Sequence, residues 1–197
     1  ESLFIAIARN SRGDDPETVK EDLEKSLHAR TEAAKLKGPV PDLNRMEDYQ
    51  IALWTVSLAV LFGKSGMPLE QLIRELDLRG KDQFLDLLLP EGMEGRARQL
   101  LHPEPYGYLA RALATTGEPQ AAETDAFLKT YYAAQKDCSW YDRHMKHEPE
   151  FFGYWSFELA AVVRLYDWAD DTSQGNIFYP RDLTGRDLYR TWRDDLI

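Results

Sequence analysis

The chain predicts an all-α fold: a single helical domain of antiparallel helices around two buried central helices. Three observations point there. The first is composition, with 26 Leu and 19 Ala against 6 Val and 6 Ile, which together with abundant Glu, Lys and Arg favours helix over sheet. The second is punctuation, because glycines and prolines fall between periodic stretches, as short turns between antiparallel helices require. The third is a pair of segments, 46–62 and 152–168, that are apolar nearly all round and therefore belong inside a helical domain. At 197 residues the chain is long enough to bury one sizeable core. We expect an N-terminal helical segment, 1–45, and a helical domain, 46–197, to form one compact unit.

Leu3 to Ala8 reads as the tail of a helix. Asp14, Asp15 and Pro16 start the next one, since acidic side chains suit the positive end of the helix dipole and proline fits the first turn. That helix is expected to run to Lys37 and stop at Gly38-Pro39. Val19, Leu23 and Leu27 make only a narrow apolar stripe, which places it on the outside. The linker GPVPDLN leads to helix 46–62, where Ile51, Leu53, Trp54, Val56, Leu58, Val60 and Leu61 make a central element. Gly63 and Gly66 end it, Pro68 begins a short helix over 69–78, and another covers 82–89 before Pro90-Glu91-Gly92. Helical segments over 95–101 and 104–114 follow, interrupted by His102-Pro103, and Glu118-Pro119 opens a long helix reaching Trp140 or beyond.

The last helix is expected over 152–168. Trp155, Leu159, Val162, Val163 and Tyr166 occupy one side, with Phe157, Ala160, Ala161, Leu165 and Trp168 on the other. Asp167, Asp170 and Asp171 close it, and the chain re-enters through Ile177, Phe178, Tyr179 and Pro180, the proline holding Tyr179 extended. The two central helices share a rough pattern of aromatics, a Trp and a small or aliphatic run. An internal pseudo-repeat and chance similarity between buried helices account for it equally well. No short period recurs along the chain, which argues against a regular solenoid.

With 24 basic against 34 acidic residues the net charge is −10. A surface of that sign repels nucleic acid and anionic lipid and favours basic partners. Cys138, the only cysteine, excludes an internal disulfide and suits a reducing compartment. No segment approaches the roughly 20 apolar residues of a membrane span; the longest apolar run, 51–62, is broken by Thr55 and Ser57. No signal peptide is visible, although the chain opens at Glu1 rather than a methionine. A cytoplasmic location is expected.

One cluster is ligand-like: Asp142, His144, His147 and Glu148 in WYDRHMKHEPE. It is not HExxH, Pro149 ends the helix there, and Arg143 and Lys146 place positive charge inside it. It therefore reads as a solvated, mixed-charge helix end. Cys138 lies between Asp137 and Ser139, where a neighbouring acid raises rather than lowers a thiol pKa. There is no GxSxG, no phosphate-cradling glycine loop and no CxxC. Acid pairs such as Asp14-Asp15, Asp170-Asp171 and Asp194-Asp195 read first as solvated charge. No catalytic residue, metal or cofactor is assigned, and the chain does not read as an enzyme. A helical adaptor or scaffold, and a metal-dependent hydrolase using His144, His147 and Glu148, are the alternatives.

Gly153-Tyr154-Trp155, Phe157-Glu158 with Ala160-Ala161, and Tyr179-Pro180-Arg181-Asp182-Leu183 resemble the C-terminal signature of the PoNi family. Those are immunity proteins that neutralise PoNe polymorphic DNase toxins of bacterial secretion systems such as type VI. Residues 49–63, YQIALWTVSLAVLFG, are similar to the family's other characteristic helix. The resemblance implies a cytosolic, non-catalytic inhibitor that binds a cognate nuclease of the PD-(D/E)xK type, with no direct contact to nucleic acid or membrane. An acidic surface occluding that toxin's basic cleft, and binding away from the active site with blockage by bulk or distortion, are equally compatible with the sequence.

The signature residues Gly153, Tyr154, Trp155, Glu158, Tyr179, Pro180 and Asp182 are expected to be structural. Glu158, inside the most apolar helix, needs a buried partner, for which Tyr179, Arg181 and Trp155 are the candidates. Asp182 is expected to fix YPRDL against the domain. Toxin contact is expected on the acids around this scaffold: Glu118, Glu123, Asp125, Asp137, Asp142, Glu148, Glu150, Asp167, Asp170 and Asp171. Tyr131, Tyr132, Trp140 and Tyr141 are interleaved with them as core residues or hot-spot anchors.

Overall fold

The computed structural model describes residues 2–36, 38, 40–63, 67–89, 96–146, 152–171 and 173–184. His147, Glu148, Glu150 and the stops expected at Gly66 and Pro90-Glu91-Gly92 lie outside these described residues, as do Phe151 and Asp194-Asp195. Among the described residues there are eight α-helices and no strand: α1 (Ser2–Arg12), α2 (Pro16–Lys35), α3 (Met46–Leu61), α4 (Met67–Glu75), α5 (Gln83–Leu88), α6 (Pro103–Ala112), α7 (Glu118–Ala134) and α8 (Phe157–Leu165). Single 3-10 turns occupy Arg143–Met145 and Arg181–Leu183.

The start of α2 follows from its first residues. Asp15 caps the helix, its carboxylate accepting from the backbone N–H of Glu17 and Thr18 at 3.1 and 3.3 Å, with Pro16 in the first turn. Only Val19, Leu23, Ser26, Leu27 and Thr31 are buried, so α2 is an outer helix with one apolar stripe. It ends where Gly38 donates to the Ala33 carbonyl, a fold-back in which a Cβ would come within 2.8 Å of that oxygen.

α3 and α8 form the centre. Eleven of the sixteen α3 residues are buried, as are Phe157 to Val163 of α8. The two helices pack side by side, with Trp54 edge-on to Phe157 at 6.4 Å and the Arg164 guanidinium capping the Leu61 carbonyl at the end of α3. α1 pairs with α2, α2 with α4, and α6 with α7, the last two joined by the short turn at 113–117. One continuous core runs from Leu3 to Leu183.

Two expected helical stretches have other structures, for the same reason. Residues 96–101 are non-helical because Asp82, Gln83 and Asp86, at the start of α5 and within it, hold their backbone groups. Ala97 N–H donates to Asp86, Leu101 N–H to Asp82, and the Gln99 carbonyl accepts from Gln83 N–H. Residues 152–156 precede α8 instead of belonging to it. The Trp155 carbonyl accepts from Trp54 Nε1 at 3.1 Å and Tyr131 Oη at 2.7 Å, and Ser156 N–H donates to the Phe178 carbonyl at 2.8 Å. α7 likewise stops at Ala134, after which Gln135 turns inward and accepts from the buried Trp140 indole at 2.8 Å. α8 ends at Leu165, and Leu165 and Tyr166 face solvent rather than core, 47% and 41% exposed.

Candidate functional site

The signature segments meet along a seam where residues of α1 and α3 hold the strap 152–156 that leads into α8. Gly153 makes the approach possible. Its φ is +81°, and a Cβ there would come within 2.5 Å of Trp155 Nε1 and 2.9 Å of Ser11 Oγ. In the space left, the Trp155 indole donates to Ser11 Oγ at 2.6 Å, and the Ser11 hydroxyl donates to the Phe152 carbonyl. Thus the C-terminal end of α1 is fastened to the strap that leads into α8.

Glu158 lies at the bottom of this seam, fully buried in the first turn of α8. Its partners are not those expected from sequence. Gln50 Nε2 donates to Glu158 Oε1 at 3.3 Å, and the Tyr106 hydroxyl stands 3.1 Å from the same oxygen while donating to Gln50 Oε1. Glu158 Oε2 has no hydrogen-bond partner among the described residues. Burial pushes this carboxyl up to about 7, against the opposing hydrogen bonds from its own backbone N–H, Gln50 and Tyr106. Tyr49, Tyr106 and Tyr131 surround it, each with its phenol pKa raised, by burial first and then by nearby carboxylates. A carboxyl so enclosed has no route to a reacting group; it ties α3, α6 and α8 together.

The Tyr179-to-Leu183 segment is fastened by Asp170, not Asp182. Asp170 accepts from Tyr179 Oη at 2.7 Å, Gln174 Nε2 at 2.6 Å and Thr184 Oγ1 at 3.1 Å. Burial acts to raise this carboxyl, but the three hydrogen bonds outweigh it and hold its pKa below the ordinary value. The Asp182 side chain is 96% exposed, 3.9 Å from Arg181. Tyr179 and Pro180 are buried.

The other acids divide into committed and uncommitted groups. Glu123 forms a two-point ion pair with Arg111, at 3.0 and 2.9 Å, and Asp125 pairs with Lys129 at 2.5 Å on the solvent face of α7. Asp142 accepts from the Tyr132 hydroxyl in a left-handed turn, φ +57°. Glu118, Asp137, Asp167 and Asp171 are exposed, with no ion pair or hydrogen bond from their side chains among the described residues. Of the aromatics, Tyr131 and Trp140 are core; Tyr132 and Tyr141 are half-buried and stacked, ring centres 4.6 Å apart. His144 contacts the Tyr154 hydroxyl at 2.9 Å through Nδ1. No group of three potential metal ligands occurs among the described residues. The Cys138 thiol is pushed up to about 12, by burial first and then by Glu47 and Asp137.

Two family models account for almost all of this architecture. PoNe immunity protein (PoNi), N-terminal, matches residues 1–74, and PoNe immunity proteins (PoNi), C-terminal, matches residues 80–183. The chain belongs to the PoNi family. Its members are immunity proteins, inhibitors rather than enzymes, directed at PoNe toxins. No curated protein and no solved structure matches the chain. In this PoNi chain the N-terminal match ends within α4 and the C-terminal match begins just before α5. The bonds Ser11–Trp155, Gln50–Glu158 and Trp54–Trp155 all cross from one matched segment to the other, so the two halves share a single core. Among the described residues no helix is long and apolar enough to cross a membrane.

Sequence reasoning missed Gln50, Tyr106, Ser11 and the two buried carboxylates Asp82 and Asp86. Asp82 carried a readable signal, standing immediately before the apolar run of α5, where it caps Leu85 N–H at 2.8 Å. The others are joined by contacts that no local pattern records.

Proposed function

We propose that this protein neutralises a PoNe DNase in the cytosol by covering the toxin's basic DNA-binding cleft with an acidic surface, its carboxylates taking the places of DNA phosphates. The observation that carries this reading is where the charge excess lies. Residues 118–171 hold eleven acids against five bases. Within that span Glu118, Asp137, Asp167 and Asp171 face solvent without partners among the described residues, and so are available to a basic surface. A nuclease of the PD-(D/E)xK type handles a polyanion and presents positive charge to it. Opposite charge speeds encounter with such a partner, which matters when free toxin cuts the genome.

Association kinetics between the purified chain and its catalytically inactivated PoNe toxin test this reading. The association rate is expected to fall at least tenfold between 50 and 500 mM salt, and to fall again in the charge-reversal variant Glu118→Lys/Asp137→Lys/Asp171→Lys. Duplex DNA is expected to compete for the toxin. A toxin that binds DNA and this chain at the same time sinks the occlusion mechanism. Failure of co-expression to protect cells from the active toxin sinks the immunity role itself.

A further inference from the structure

Where α8 ends, three consecutive residues stand on the surface: Leu165, Tyr166 and Asp167. Each choice made there runs against the stability of the fold. Asp167 has φ +51° in a turn closed by the Trp168 N–H donating to the Val163 carbonyl at 3.0 Å, a position where glycine is the usual residue. Its carboxylate also meets the negative end of the helix dipole, which favours a cation. Leu165 and Tyr166 leave apolar area in water. Asp77 and Asp142 are the other non-glycine residues with positive φ among the described residues, and the fold uses both carboxylates. Asp77 pairs with Lys81 at 2.6 Å, and Asp142 accepts from the Tyr132 hydroxyl. Asp167 has no ion pair or side-chain hydrogen bond among the described residues.

The charge of this stretch is one-sided. Arg164 is the only base in residues 157–171, and its guanidinium is turned to the Leu61 carbonyl. Glu158 is buried and Asp170 is engaged by Tyr179, Gln174 and Thr184, which leaves Asp167 and Asp171 as the exposed charges. A lysine or arginine fits the turn: its aliphatic stem lies on Leu165 and Tyr166 while its charge meets Asp167 and the helix end. Given the immunity reading above, we propose that the Leu165-Tyr166-Asp167 turn anchors a lysine or arginine side chain on the basic face of the PoNe toxin. The turn is already fixed, because the Tyr166 hydroxyl donates to the Leu87 carbonyl at 3.1 Å and Arg164 caps α3, so little ordering is needed on binding.

The test measures binding of the full chain to catalytically inactivated PoNe toxin by surface kinetics. Asp167→Asn and Leu165→Ser alter the turn, and Asp77→Asn is the control. Asparagine is tolerated in the left-handed conformation, so Asp167→Asn removes the charge and keeps the backbone. Its melting temperature should equal or exceed that of the wild type. Asp77→Asn makes the same exchange at the same kind of backbone position, where the carboxylate is already paired. Asp167→Asn and Leu165→Ser are each expected to raise Kd about fivefold, and Asp77→Asn to stay within about twofold of wild type. Asp167→Asn should also flatten the dependence of affinity on salt. Hydrogen exchange of the complex should show protection at amides 164–169. Wild-type affinity in both turn variants, or a loss in Asp77→Asn equal to that in Asp167→Asn, overturns the assignment and leaves the immunity role standing. A loss confined to Leu165→Ser overturns the basic side chain as occupant. Turn variants that change only self-association, seen by sedimentation of the free chain, overturn it in favour of a second copy. Absence of any binding by the wild-type chain removes both readings at once.

Discussion

Glu158 and Asp182 belong to the same C-terminal signature, yet the molecule treats them in opposite ways. Glu158 is sealed at the meeting point of α3, α6 and α8, where burial lifts its carboxyl to about 7 and amide and phenol groups supply its contacts. Asp182 projects almost wholly into water, with only its neighbour Arg181 nearby. What differs is the number of helices that converge on each. The seam residues hold the two family segments together, whereas Asp182 makes no hydrogen bond to the body of the fold among the described residues. A family signature can therefore mix scaffold and surface within a few positions, and only packing separates the two.

The largest effect is expected at the seam. Trp54 is fully buried, donates to the Trp155 carbonyl, and packs against Trp140 at 4.9 Å, Phe152 at 6.1 Å and Phe157 at 6.4 Å. Trp54→Ala should cost about 3–5 kcal/mol in urea unfolding, the range for deleting a large aromatic from a packed core. A loss under about 1 kcal/mol would mean that the two halves do not depend on this contact.

Glu158 makes the comparison sensitive to pH. Its folded carboxyl titrates near 7, above its ordinary value of 4.5, so the folded state holds the proton more tightly than the unfolded chain. The stability this group contributes is complete below pH 4.5, declines as pH rises from 4.5 to 7, and is absent above 7. The difference amounts to roughly 3 kcal/mol at about 1.4 kcal/mol per unit of pKa. Glu158→Gln keeps the shape and removes the titration. Subtracting its unfolding profile from that of the wild type should leave a slope confined to pH 4.5–7. A flat difference would show that the carboxyl titrates normally and that the seam is wetter than its burial implies.

How far this contrast was legible in the sequence depends on distance along the chain. The outer position of α2 could be read from the single stripe Val19, Leu23 and Leu27, and the central position of α3 from its continuous apolar run, because both are properties of one helix. The start of α8 could not. Gly153 hinted at a break, but the Trp155 carbonyl is held by Trp54, 101 residues away, and Tyr131, 24 residues away. Glu158 was recognisable as a buried acid in need of a partner, and its partners Gln50 and Tyr106 lie 108 and 52 residues off. Asp167, Asp170 and Asp171 look alike in sequence, and only the fold separates the acid that pins a segment from its solvated neighbours.

That last distinction gives the smallest and most selective test. Asp170 and Asp182 are both aspartates near the same segment; from sequence Asp170 reads as solvated charge and Asp182 as the residue that fixes YPRDL. In the structure Asp170 accepts hydrogen bonds from Tyr179, Gln174 and Thr184, so Asp170→Ala leaves three donors without their acceptor and should cost about 1–3 kcal/mol. Asp182 makes no hydrogen bond to the body of the fold among the described residues, so Asp182→Ala should stay within about 0.5 kcal/mol of wild type, the ordinary range for a surface change. Thermal melts of the two variants side by side decide the matter. Equal shifts would return the YPRDL segment to Asp182 and remove the division between scaffold and surface; a shift in Asp170→Ala alone leaves the Asp182 carboxylate free for a partner.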